Sequence, residues 1–221
     1  MLMAADTLDA RKSEIEYMAR KLYSQFGYYR TERQYEQALK NIEFIDNMIA
    51  LAYGENSKEY SAFLNELGSV YYNTAAYMKA KEKFEKGYDI DRKIIEKKYP
   101  SFMEEVDDLA ELNIELVDQT EGPAKLSYDI PIGIVDPAAR LGVDIENLSA
   151  IEQKLGNIPK ALRMAHQAAQ IFRIVSRVDL GRCLKHLADL YVEIGDTDKA
   201  QAYYDASLGI KQEMSNKRGS R

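Results

Sequence analysis

Apolar side chains recur every three or four residues along most of this chain, the period of helices that bury one face. Over residues 6–28 they fall at Leu8, Ile15, Met18, Ala19, Leu22, Tyr23 and Phe26. Over 35–49 they fall at Tyr35, Ala38, Ile42, Ile45 and Ile49, before Gly54 and Asn56 end the pattern. Thr31, with Gln34 three residues on, has the spacing of a capping box and predicts the start of that second helix. Residues 61–94 then read as two antiparallel helices with a tight turn between them. Leu64, Leu67 and Tyr71 line one side of the first, and Ala80, Phe84 and Tyr88 one side of the second. Gly68 and Ala80 stand where the two axes must approach closely.

The pattern repeats. A shift of 42 residues carries Leu22 onto Leu64, Tyr29 onto Tyr71, Tyr35 onto Tyr77, Ala38 onto Ala80 and Ile42 onto Phe84. The same shift carries Leu64, Leu67 and Gly68 onto Val106, Leu109 and Ala110, opening a third helix over 100–119. Its partner is interrupted, because Gly122, Pro123, Pro131 and Gly133 break any long helix. Asp136 and Pro137 restart the pattern as cap and first helical position. Leu141, Ile145, Leu148, Ile151 and Leu155 form its apolar face, and Ala161, Met164, Ala165, Ala168 and Ile171 that of the following helix. A last pair carries Leu184, Leu187, Ala188, Tyr191, Ala200 and Tyr204, and the turns at 156–162 and 195–201 align at an offset of 39.

A leucine, a small residue and a tyrosine, followed by an alanine and a phenylalanine, resemble a tetratricopeptide (TPR) unit. Leu64 stands for the expected tryptophan and Arg92 for the closing proline. The 42-residue period and the run Leu64-Asn65-Glu66-Leu67-Gly68 make residues 19–119 look like the repeats of kinesin light chains. The resemblance implies an all-α fold, a right-handed α-solenoid of antiparallel helix hairpins forming one domain over 1–221. The repeats are expected at 6–53, 57–98, 136–175 and 178–214, with an incomplete one at 100–119, an irregular insert at 120–135 and a polar, frayed tail at 215–221.

One hairpin cannot bury its apolar face alone, so such hairpins stack, and TPR relatives hold an extended peptide or a partner helix in the concave groove lined by the first helices. That implies groove positions Ala62, Asn65, Ser69, Tyr72 and Asn73 in the second repeat. It implies Glu104, Asp107, Glu111 and Glu115 in the third, and Arg182, Lys185, Asp189 and Glu193 in the last. Asn65 offers a donor and an acceptor to a peptide backbone, yet the aligned Tyr23, Asp107, Glu146 and Lys185 depart from the asparagine ladder of kinesin light chains. Asn65, Ser69 and Asp107 also stand where chaperone-binding TPRs need members of their lysine, asparagine and arginine carboxylate clamp, so that clamp is not expected.

Composition narrows the partners. With 30% charged and 46% hydrophobic residues the chain can bury a core, and a net charge of −6 disfavours nucleic acid and anionic membranes. A protein or extended peptide is the expected partner, with the oligomeric state left open. The lone Cys183, the absence of a bilayer-spanning apolar run and a start without a secretory pattern predict a cytoplasmic protein. Residues 100–121 hold eight carboxylates and no lysine or arginine, whereas 154–185 hold seven cations against Asp179. These segments make either a groove of two polarities, or a solvated face, or two halves that pair with each other. The apolar 130–135 run is either a plug on the solenoid or a competitor for its groove. Sixteen tyrosines fall mostly at inward positions and read as core rather than as a stacking surface.

Catalysis finds no support. Cys183 and His186 share a helix, but two ligands do not make a zinc site. No phosphate loop, nucleophile elbow or HExxH motif occurs. The expectation is therefore a non-catalytic adaptor without cofactor or metal. A peptide-sensing module of a bacterial regulator and a structural assembly subunit remain as alternatives.

Overall fold

The computed structural model describes residues 2–111 and 135–219, and every regular element among them is a helix. The chain forms two compact units, Met1–Ile90 and Asp91–Arg221.

The first unit contains α1 (Leu2–Thr31), α2 (Tyr35–Ala38), α3 (Ile42–Tyr53), α4 (Lys58–Asn73) and the opening turns of α5 (Tyr77–Lys98). Ser57 caps α4, its hydroxyl accepting the Tyr60 N–H at 3.1 Å. The core of α4 and α5 is the expected one: Leu64, Leu67, Ala80 and Phe84 are all at most 2% exposed. Gly68 lets the Phe84 ring lie on the helix backbone; a Cβ there would come within 2.6 Å of it. Phe63 ties α4 to α1, meeting Phe26 edge-on at 5.3 Å and Tyr23 at 5.7 Å.

Three expectations fail in the first hairpin. Thr31 closes α1 instead of capping the next helix, its hydroxyl donating to the carbonyls of Gly27 and Tyr28. The single second helix is two pieces, broken where Asn41 takes a left-handed φ of 59°, a conformation asparagine accepts more readily than most residues. Met18, placed on the inner face of α1 by its period, is 41% exposed.

The second unit holds the remainder of α5 with α6 (Pro100–Glu111), α7 (Val135–Lys154), α8 (Ile158–Val175), α9 (Arg177–Glu193) and α10 (Thr197–Gly219). The turns after α7 and α9 share one geometry, with Gly156 at φ 81° and Gly195 at φ 83°, a region that costs other residues strain. Gly142 repeats the packing of Gly68, since a Cβ there would come within 2.7 Å of the Phe172 ring. Asp136 lies inside the first turn of α7 and not at its cap. Leu155 falls past the end of that helix and is 38% exposed. The last helix continues through Ser215 to Gly219, where a frayed tail was expected, because no helix breaker intervenes before Gly219. The irregular insert lies outside the described residues, apart from Val135 at the start of α7.

Candidate functional site

In the first unit α4 turns Leu64, Leu67 and Gly68 toward α5 and leaves Asn65, Ser69, Tyr72 and Asn73 on another side. These four stand at i, i+4, i+7 and i+8, so they form one row along the helix. Asn65, Ser69 and Tyr72 are half-buried and Asn73 is exposed. The Ser69 hydroxyl donates to the Asn65 carbonyl at 3.0 Å, and the Asn73 amide donates to the Ser69 carbonyl at 2.7 Å. Tyr72 meets Tyr77 edge-on at 5.6 Å. The adjoining Glu66 pairs with Arg30 at 3.2 Å and accepts from Tyr23, whose phenol is pushed up by burial and then by that carboxylate. An uncharged row with an aromatic end therefore runs beside an ion pair.

In the second unit the named residues are already engaged. Asp107 accepts two guanidinium hydrogen bonds from Arg92, at 2.6 and 2.5 Å. Glu104 is exposed; the Glu111 side chain and Glu115 lie outside the described residues. Arg182 forks onto Glu146 through Nε at 3.1 Å to both oxygens, and reaches Asp179 at 2.8 Å. Glu146 is only 7% exposed, and burial pushes its carboxyl up against the pull of Arg182. Lys185 pairs with Asp189 at 2.7 Å, and Glu193 accepts from Gln153 at 2.9 Å.

The cation-rich stretch at 154–185 is thus partnered by acids mostly outside it: Lys160 with Glu152 at 2.7 Å, Arg177 with Glu213 at 2.9 Å, and Arg182 with Glu146. None of these three acids lies in the 100–121 stretch, so these pairs do not join the two charged segments. Sequence reasoning missed Glu146 and Glu152 as their partners. The available signal was a carboxylate in phase with the apolar Ile145, Leu148 and Ile151. Asp91, 1% exposed and 3.1 Å from Arg140 Nε, was missed in the same way.

The histidines and the cysteine form no common site. Cys183 Sγ donates to the Ala165 carbonyl at 3.2 Å, and its thiol is pushed well up by burial. His186 Nε2 instead lies 3.0 Å from the Ser149 hydroxyl. His166 Nε2 is 3.1 Å from the Tyr191 hydroxyl, and Tyr191 stacks on Tyr203 at 5.4 Å. Among the described residues no group of three or more His, Cys, Asp or Glu could hold a metal ion. Only Tyr17 and Tyr28 of the described tyrosines are exposed, as core packing requires. No described helix is long and apolar enough to cross a membrane.

Comparison with known families shows what these hairpins are similar to. The tetratricopeptide-repeat family model matches residues 143–213, from α7 to α10. Over these residues the chain resembles tetratricopeptide repeats. The match falls on the last two repeats, beyond the 19–119 stretch that resembles kinesin light chains. The crystal structure of BtubC (BKLC) from P. vanneervenii superposes with a TM-score of 0.64 at 14% identity, over 91% of this chain. It covers 66% of that protein, so this chain spans just under two thirds of its length. That likeness shows the fold, an all-α TPR-type solenoid. A Podosopora anserina protein of nearly identical TPR-like repeats, assigned as a kinesin light chain, has 16% identity over 90% of this chain and 97% of its own, with a TM-score of 0.39. No curated protein matches this sequence.

Proposed function

We propose that the chain is a non-catalytic, cytoplasmic adaptor that binds a protein or an extended peptide along the first helices of its TPR hairpins. The observation that carries the reading is the α4 row of Asn65, Ser69, Tyr72 and Asn73. It presents uncharged polar side chains and an aromatic edge on the side of α4 turned away from the Leu64 and Leu67 packing. Amide groups can both donate to and accept from a peptide backbone, and an aromatic edge gives a side chain of the partner a surface to cover. The second unit contributes differently. Asp107, Arg182 and Lys185 are held in ion pairs, so they orient a partner and add little affinity.

Affinity capture from a lysate with the wild type and with an Asn65→Ala, Asn73→Ala double variant tests this. Asn73 is exposed and Asn65 half-buried, so a circular dichroism spectrum and melt first establish that the variant is folded. Loss of the partners from the variant is expected; equal recovery of every partner removes the assignment.

A further inference from the structure

Within the first unit, α3, α4 and α5 enclose a cleft of about 190 Å³ that the adaptor reading does not use. Leu67 and Tyr71 of α4 form its floor. Its sides are charged, by Glu43 and Asp46 of α3 and by Lys79, Glu82 and Lys83 of α5. The inner charges are matched. Lys83 Nζ lies 3.2 Å from Asp46 and 3.5 Å from Glu82, and Asp46 also accepts from the Tyr60 hydroxyl at 2.7 Å. Burial pulls the Lys83 ammonium down, but Asp46 and then Glu82 more than offset it, so that side chain stays charged. The outer charges are not matched. Glu43 and Lys79 are exposed on the two sides of the cleft and have no ion-pair partner among the described residues. Lys79 Nζ instead stands 5.7 Å from the centre of the Tyr71 ring.

Such a cleft selects by charge. A simple anion meets three carboxylates there, and among the described residues no group of acids could hold a metal ion. A molecule carrying an ammonium and a carboxylate together answers both open charges at once. The volume has room for about six waters, well below the roughly 300 Å³ at which sites for drug-sized ligands begin, so the molecule is small. We propose that the cleft binds a free α-amino acid with a compact apolar side chain, its ammonium on Glu43, its carboxylate on Lys79 and its side chain against Ile42 and Leu67. Burial pushes the Tyr71 phenol up, so it remains an O–H donor and gives the carboxylate a second partner. Either ion pair alone is weak at an exposed site, and two formed by one small rigid molecule reinforce each other. Bound there, the amino acid joins α3 to α5, the second helices of successive repeats. The cleft is on the α5 side of α4, off the row of Asn65 and Ser69, so this inference and the adaptor reading stand or fall separately.

The test titrates the full chain with L-leucine, leucinamide and N-acetyl-leucine, followed by amide chemical shifts. L-leucine is expected to bind with a Kd of about 1 mM or tighter, moving signals of residues 42–46 and 77–83. Leucinamide, which lacks the carboxylate, and N-acetyl-leucine, which lacks the ammonium, are each expected to bind at least about tenfold more weakly. Glu43→Gln should remove the difference between L-leucine and N-acetyl-leucine, and Lys79→Gln that between L-leucine and leucinamide. Both side chains are exposed, and the ligand series on the unaltered chain gives an answer even if a variant misfolds. No binding of L-leucine up to about 20 mM, equal binding of the three ligands, shifts confined to other helices, or differences that survive both substitutions overturn the proposal.

Discussion

Gly68 and Gly142 each face a phenylalanine ring of the partner helix, at 2.6 and 2.7 Å for the methyl group an alanine would bring. Gly27 of α1 meets nothing within 4 Å. Alanine at Gly68 or Gly142 should therefore cost about 1–3 kcal/mol through overpacking, while alanine at Gly27 should gain about 0.5–1 kcal/mol through helix propensity, both measured by denaturant melts. His166 makes a second residue-scale prediction. Burial, then Arg173 and Lys199 nearby, pull its imidazole down from 6.5 to about 4. Between those values the unfolded chain takes up a proton that the folded chain refuses. Stability is then complete above pH 6.5 and falls with acidification, by up to about 3 kcal/mol at pH 4. His166→Gln should flatten the slope of stability against pH between 7 and 5, with His186, also lowered by burial, giving what slope remains. The wild-type slope persisting in the variant would contradict the assignment.

At the scale of elements, caps and breaks separate what the sequence could say from what it could not. Ser57 and Ser176 each accept from the amide three residues on, at 3.1 and 3.3 Å. Alanine at either should cost about 1 kcal/mol in thermal or denaturant unfolding. The hairpins of α4 with α5, α7 with α8 and α9 with α10 were legible because their apolar period is strict, and the turns of the last two carry Gly156 and Gly195. Gly68 was legible too, since a small residue recurred at the same place. The first hairpin was misread because Thr31 and Gln34 have the spacing of a cap, yet Thr31 bonds backward into α1. Nor does any breaker announce the interruption at Asn41; only its left-handed backbone does. The partners of the cations were missed for a different reason. Counting within a window omits partners contributed by neighbouring helices, and Glu146 and Glu152 stand on a helix that the window barely touches.

At the scale of the whole molecule, stacking distributes charge pairs between repeats, and their burial ranks them. Arg182→Ala would leave Glu146, 7% exposed, without its main partner. That should cost about 1–3 kcal/mol, well above the cost of breaking the exposed Arg177–Glu213 pair, which should be within about 0.5 kcal/mol of zero. In the first unit the same repetition leaves one side of α4 off the hairpin core. The row of Asn65, Ser69, Tyr72 and Asn73 is that side. The claim that first helices hold another polypeptide is tested most directly by amide hydrogen exchange on the chain, alone and with a captured partner. The account predicts added protection centred on residues 62–73 of α4. Protection confined to the second helices, α5, α8 and α10, with α4 unchanged, would contradict it.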